Sequence, residues 1–123
     1  DHSAAAERRE ENLSDAERSV ISSVKKYIRT HYAEVTLDGV AEYVHLKPYY
    51  LSTFFKQQTG EKFSDYVQRV KMEVAANLLE RGGQNVKEVA EAVGYTNPNS
   101  FTRAFRQYYQ CNPKDYRRMK QGL

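Results

Sequence analysis

The sequence of 123 residues has one cysteine, no tryptophan and no long apolar run. The single Cys111 cannot form a disulfide within the chain, which suits a reducing cytosol. No stretch approaches the roughly 18 apolar residues that a membrane-spanning helix needs, and the polar start lacks the apolar region of a signal peptide. These absences favour a folded, cytoplasmic protein with no membrane association, and the length suits one domain or two small lobes.

The residue patterns of metal sites and catalytic sites are also missing. The sequence contains no Cys-x-x-Cys and no Cys/His cluster at metal-ligand spacing. It has no phosphate-binding glycine loop, and the equivalent carboxylates Glu42 and Glu91 have no candidate nucleophile beside them. We therefore expect no metal, no cofactor and no enzymatic activity.

Positive charge is concentrated toward the end of the chain. The formal net charge is +3 and the isoelectric point is near 9.0, values that many basic globular proteins share. Residues 1–35 hold 6 Lys/Arg against 7 Asp/Glu, whereas residues 36–123 hold 13 against 9. Between Phe101 and Lys120 there are six Lys/Arg and only one carboxylate, Asp115. This segment is the best candidate for contact with an anionic partner.

An internal duplication is the most informative positive feature. The segment Val40 to Val44 matches Val89 to Val93 at an offset of 49, and after the extra residue Thr96 the offset becomes 50. The pairs at this second offset include Pro48 with Pro98, Phe55 with Phe105, Lys56 with Arg106 and Tyr66 with Tyr116. Each copy is typical of a short helix, a tight turn and a longer helix, which is the plan of a helix-turn-helix DNA-binding motif.

Start and stop signals predict seven helices and no strand, hence an all-α fold. Ser14 to Glu17 has the S-x-x-E pattern of a capping box before a first helix that ends near Tyr32. Residues 1–13 are predicted to be a flexible linker after an upstream domain. The predicted DNA-binding domain covers 14–123, with a first lobe over 14–62, a linker helix over 63–82 and a second lobe over 83–121.

The third and sixth predicted helices each have an aromatic face opposite a polar one. By helical spacing the inward residues are Leu51, Phe54, Phe55 and Gln58 on the third helix, and Phe101, Ala104, Phe105 and Tyr108 on the sixth. The outward residues are Tyr49, Ser52, Thr53 and Lys56 on the third helix, and Asn99, Ser100, Thr102, Arg103 and Arg106 on the sixth. Such side chains can contact base edges or phosphates, although the solvated face of an ordinary amphipathic helix has the same pattern. The repetition of the face after two similar turns favours DNA contact.

Individual roles follow from side-chain chemistry. Arg103 suits a bidentate contact with guanine O6 and N7, because its guanidinium is planar and its stem is long. Asn99, near the start of its helix, suits adenine, and Arg106, farther along the same helix, suits a phosphate.

Several motifs together resemble the DNA-binding domain of AraC/XylS-type transcription regulators. They are Val93-Gly94-Tyr95, the Phe-x-Arg-x-Phe-Arg run from Phe101 to Arg106, and the Pro-x-x-Tyr-Arg ending from Pro113 to Arg117. The resemblance implies a bi-lobed, seven-helix domain whose third and sixth helices enter successive major-groove segments. It places base-reading positions on Tyr49, Ser52 and Thr53, and on Pro98, Asn99, Ser100 and Arg103. The sequence is also similar to effector domains of bacterial response regulators, in which a phosphorylatable receiver precedes the DNA-binding domain.

Three residues depart from the family pattern. His45 stands where the first turn usually has glycine, and histidine is among the residues that tolerate positive φ. Lys47 replaces the small polar cap expected before the third helix, so that helix should lack a side-chain cap. Cys111 takes the place of the usual glycine near the end of the sixth helix.

The leading hypothesis is a sequence-specific DNA-binding transcription regulator, and the alternative is a helical protein-interaction module with a basic docking face. The expected partners are double-stranded operator DNA, RNA polymerase, and an upstream sensor or receiver domain. The protein is expected to act on RNA polymerase as an activator. If the fourth helix is rigid, the two reading helices should contact groove segments roughly 34 Å apart, about one duplex turn.

Overall fold

The computed structural model describes residues 15–122, and within them all seven predicted helices are present. Their bounds are α1 Asp15–Thr30, α2 Leu37–Tyr43, α3 Pro48–Thr59, α4 Phe63–Arg81, α5 Val86–Ala92, α6 Pro98–Tyr109 and α7 Pro113–Gln121. No strand occurs between residues 15 and 122, and the all-α fold class is confirmed. The predicted linker over 1–13 and Ser14 of the predicted capping box lie outside the described residues.

Side-chain caps begin four of the helices. The amides of Gly39, Glu88, Asn99 and Asp115 donate to the side chains of Thr36, Asn85, Asn97 and Asn112 over 2.8–3.0 Å. Each of these bonds satisfies an amide that has no acceptor inside its own helix. The helix α3 differs, because Lys47 at its N-cap makes no side-chain hydrogen bond to the helix. The prediction for Lys47 is therefore confirmed.

The backbone packs into two units. One unit contains residues 15–31 and 35–67 of the described chain, and the other contains residues 32–34 and 68–122. The first unit holds the helix-turn-helix pair α2 and α3, and the second holds the pair α5 and α6. The division falls inside α4, between residues 67 and 68.

The core of the first unit is built around aromatic rings. Its buried residues are Val24, Ile28, Val40, Ala41, Leu51, Phe54, Phe55, Phe63 and Tyr66. The ring of Phe55 meets those of Phe63 and Tyr66 edge-on, with centroid distances of 5.9 and 5.5 Å. The Tyr66 hydroxyl accepts a hydrogen bond from Nε of Arg29 at 3.0 Å, so α1 is joined to the start of α4. Tyr66 is thus a structural residue of this core.

The second unit has its own core, formed by Met72, Ala75, Ala76, Leu79, Val89, Ala90, Val93, Phe101, Phe105 and Tyr116. The prediction that Tyr108 points inward is wrong, because Tyr108 is 40% exposed. Its neighbour Tyr109 packs on this core instead, with its ring 4.7 Å from Phe105 and 5.2 Å from Tyr116. The helix α7 supplies Tyr116, and this contact decides which of the two adjacent tyrosines is covered.

Left-handed backbone conformations occur at equivalent places in the two units. In the helix-turn-helix turns they fall on His45, with a φ of 60°, and on Gly94, with a φ of 96°, and the expectation for His45 is confirmed. After α3 and α6 they fall on Gly60 and Gln110. The prediction that Cys111 takes the glycine position is therefore wrong by one residue, since the repeat offset of 50 pairs Gly60 with Gln110.

Candidate nucleic-acid interface

The outward face of α3 is open along its whole length. Tyr49 is 85% exposed, Thr53 and Lys56 are exposed, and Ser52 is half-buried. The face is held outward because Leu51, Phe54 and Phe55 on the opposite side are buried in the first unit. Gln58, predicted to share that inner side, is half-buried. The four outward residues predicted for this helix are therefore accessible to a ligand.

The outward face of α6 is equally open and carries more charge. Pro98, Asn99, Ser100, Arg103 and Arg106 are exposed, whereas Thr102 is half-buried. Buried Phe101 and Phe105 fix the rotation of this helix, and Ala104 between them is half-buried. The start of α6 is rigidly defined, because the Asn97 side chain accepts the Asn99 amide at 2.8 Å and Pro98 occupies the first turn.

The two outward faces carry the cations Lys56, Arg103 and Arg106. Among residues 15–122, no ion pair involves Lys56, Arg103 or Arg106. A guanidinium or ammonium group that has no carboxylate partner among these residues is available to pair with an external anion such as a phosphate. The two helices thus present available positive charge beside small polar side chains.

A groove of about 860 Å³ runs beside α3 in the first unit. Ser52, Thr53 and Lys56 form part of its wall, and Lys62, Phe63 and Val67 from the start of α4 form another part. The residues that line it include two lysines and no carboxylate. Lys62 is a candidate contact that sequence reasoning missed, because the residue lies outside both repeated helices and its approach to α3 depends on the turn at Gly60.

Tyr50 is a second exposed residue that the helical pattern did not single out. It is 54% exposed, and its ring stacks on that of Phe54 at 5.8 Å with an interplanar angle of 9°. The spacing of four residues between the two aromatics is the signal that could have predicted the stack. Tyr50 therefore adds a flat apolar surface next to Tyr49 at the start of α3.

An aromatic cluster with shifted acidities supports α6 from within the second unit. Burial, with smaller contributions from the neighbouring Tyr116, Tyr108, Glu73 and Glu80, raises the pKa of Tyr109 to about 12. Burial also raises the pKa of Tyr116, whose hydroxyl donates to Oε1 of Glu80 at 3.0 Å. The Tyr109 hydroxyl donates to the backbone carbonyl of Met72 at 3.3 Å, so both hydroxyls are hydrogen-bonded to α4.

Lys71 is a half-buried cation on the part of α4 that belongs to this unit. Burial lowers the pKa of Lys71, whose ammonium lies 5.6 Å from the ring centre of Tyr95. The hydroxyl of Tyr95 donates to Gln68, one turn earlier on α4, at 3.0 Å. Tyr95, the residue after the turn glycine, is thus held against α4 by its ring and its hydroxyl.

Metal-ligand clusters and membrane-spanning helices are absent among residues 15–122. These residues contain no group of three or more His, Cys, Asp or Glu side chains placed to hold a metal ion. None of the helices in this range is long and apolar enough to cross a membrane.

Two open polar faces on paired helix-turn-helix motifs define a class of DNA-binding domain, and comparisons with known proteins agree. A family model described as a helix-turn-helix domain matches residues 40–119. The transcriptional regulatory protein YesN of Bacillus subtilis is 42% identical over 109 residues, which are 85% of this chain and 29% of YesN. The chain belongs to the AraC-type family of helix-turn-helix DNA-binding domains.

Solved structures show the same likeness. The C-terminal domain of AraT, a response regulator from Geobacillus stearothermophilus, matches with a TM-score of 0.78 and 34% identity over 88% of each chain. The C-terminal domain of the response regulator yesN from Fusobacterium nucleatum matches with a TM-score of 0.72 and 34% identity, covering 85% of this chain and 99% of that one. The resemblance to response-regulator effector domains is confirmed. The chain spans only 12% to 38% of the length of five curated relatives, YesN among them.

Proposed function

We propose that this domain reads two successive major-groove segments of an operator, one with α3 and one with α6. The observation that carries the proposal is the repeated outward face of polar and basic residues, fixed in each unit by a buried aromatic pair. An ordinary amphipathic helix also has a solvated face. Solvation alone does not explain why a polar and basic face occurs in both units, each time after a short helix and a turn.

The side chains on the two faces suggest a division of labour. Arg103 is the bidentate guanine reader, Asn99 reads adenine, and Arg106 and Lys56 contact phosphates. Contacts from Ser52 and Thr53 require close approach of α3 to the bases, because these two side chains are short. Tyr49 is the third base-contact residue of this helix. The start of α3 has no side-chain cap, so its first backbone amides donate hydrogen bonds to a DNA phosphate.

The full-length protein adds partners to this domain. The likeness to response-regulator effector domains supports an upstream receiver, while a ligand-sensing domain in that position is the other option. We further propose that the protein acts in the bacterial cytoplasm, on the nucleoid, as an activator that contacts RNA polymerase, and that it has no enzymatic activity.

Selection of bound duplexes from random DNA, followed by titration at rising salt, tests the proposed function. We expect a selected site with two conserved elements about one duplex turn apart, and an affinity that falls steeply with salt concentration. Equal affinity for the selected site and a scrambled duplex would overturn the proposal. Salt-insensitive binding to a protein ligand, with no DNA selected, would instead support the helical interaction module.

A further inference from the structure

Three residues between α1 and α2 pack with the second unit, although the helices on either side of them belong to the first. We call this segment, Tyr32–Glu34, the strap. The side chain of Tyr32 packs against the core of the second unit. The backbone of Ala33 lies against the turn glycine Gly94, so closely that a Cβ at Gly94 would come within 2.1 Å of the Ala33 carbonyl oxygen.

The first unit shows that a turn of this kind accepts a side chain. His45 occupies the equivalent turn position with a positive φ. The hydrogen bonds of the two turns correspond, since His45 and Leu46 donate to Glu42 and Ala41 at 3.2 and 2.9 Å, as Gly94 and Tyr95 donate to Glu91 and Ala90 at 3.0 and 2.9 Å. Handedness alone therefore does not demand glycine at this turn. At Gly94 the strap supplies the additional steric reason, because real Cβ atoms do not approach a backbone oxygen within 2.1 Å.

The turn that the strap touches leads directly into the second reading helix. Tyr95 follows Gly94, and its ring meets Phe101 of α6 edge-on with a centroid distance of 5.6 Å. The hydroxyl of Tyr95 is bonded to Gln68 of α4. The strap thus contacts the turn at Gly94, and α4 is hydrogen-bonded to the turn residue Tyr95. The ring contact between Tyr95 and Phe101 joins the turn to α6.

We propose that the strap is a positioning element for α6, with Tyr32 as its anchor and the Ala33 backbone as its contact to the turn. A helix that must place Asn99 and Arg103 against base edges needs its position fixed to a fraction of an ångström, and packed backbone supplies that precision. This inference rests on the proposed function, since it concerns how accurately α6 reads DNA.

The test compares two glycine substitutions of matched backbone strain in the 123-residue chain. Gly94→Ala introduces a Cβ at positive φ against the strap, whereas Gly83→Ala introduces one at a φ of 87° with no atom within 4 Å. Tyr32→Ala removes the anchor without touching the turn, and Tyr32→Phe keeps the ring. The selected operator and two derivatives, each with one half-element scrambled, are titrated below the unfolding temperature of every variant.

We expect Gly94→Ala and Tyr32→Ala to lose about tenfold in discrimination at the half-element read by α6 and to retain discrimination at the element read by α3. Gly83→Ala and Tyr32→Phe should match the parent chain within about twofold. If Gly94→Ala does not fold, the pair at Tyr32 decides the question alone.

Two outcomes would overturn the inference. One is lower stability of Tyr32→Ala with unchanged discrimination at both elements, which would make the strap a simple packing segment. The other is an equal loss at both elements. Failure of the parent chain to discriminate any operator would count against the proposed function instead, so the two failures are distinguishable.

Discussion

Several buried residues are identical at equivalent places in the two helix-turn-helix pairs, whereas the outward residues of α3 and α6 differ. Phe55 and Phe105 are both fully buried, and each lies edge-on to the equivalent tyrosine, Tyr66 or Tyr116. On the outside, Thr53 stands where the second pair has Arg103. Burial constrains the inner face of a duplicated helix, whereas the outer face is free to acquire a different recognition chemistry.

The largest expected effect concerns the buried phenylalanine that the two helix-turn-helix pairs share. Phe105→Ala and Phe55→Ala should each lower the free energy of unfolding by about 3–5 kcal/mol, because each removes a fully buried ring and leaves a cavity. Urea denaturation followed by circular dichroism measures the loss. The exposed tyrosine in the variant Tyr108→Ala is the control, and a loss there as large as at Phe105 would contradict the burial pattern.

A smaller effect separates the two outer faces. Arg103→Ala should cost about 1–3 kcal/mol of discrimination at one base position, whereas Thr53→Ala should cost less than about 1 kcal/mol. Binding to the selected operator and to single-base variants measures both. Arg103→Lys keeps the charge but loses the planar fork, so it should resemble the alanine variant in discrimination. Full discrimination by the lysine variant would show that Arg103 acts only as a cation.

A pH effect is expected from Tyr109 in the second unit, and the equivalent residue of the first unit is Thr59, which has no phenol. Tyr109 holds its proton to about 12 in the folded chain, against 10.0 for an ordinary tyrosine. Its contribution to stability is therefore fully present below pH about 10 and is lost as the pH rises toward 12. Urea unfolding over this range measures the decline, which should be shallower in Tyr109→Phe. Parallel curves for the two proteins would exclude this role for Tyr109.

The smallest expected effect concerns the turn of the first unit. His45→Gly should raise the free energy of unfolding by up to about 1 kcal/mol, because glycine adopts the left-handed conformation without the Cβ strain of histidine. Gln110→Gly, at a φ of 64° in the second unit, is the matched variant and should change stability in the same direction. Thermal unfolding measures both, and a loss of stability at His45 would show that its side chain makes a favourable contact.

Much of the fold could be predicted because its signals are local. The caps at Thr36, Asn85, Asn97 and Asn112 satisfy amides within three residues, and helical spacing identifies the buried sides of α3 and α6. The same spacing leaves all ten predicted DNA-contact residues exposed or half-buried. Their contact with DNA stays a prediction.

Other features required the packing of distant segments. Tyr108 and Tyr109 are equally placed by helical spacing to follow Phe105, and only the approach of Tyr116 shows which one is covered. The groove that joins Lys62 to the wall of α3 likewise arises from the turn between two helices.

The amino-acid sequence by itself determined the helices, their order and the duplicated reading faces, because caps and apolar spacing act over one or two helical turns. Only the tertiary structure decided that the strap Tyr32–Glu34 packs with the second unit and lies against Gly94. The distance from Ala33 to Gly94 is about 60 residues along the chain, and no local pattern encodes a backbone contact over such a separation. The glycine is visible in the sequence, but the neighbour that makes it necessary is not.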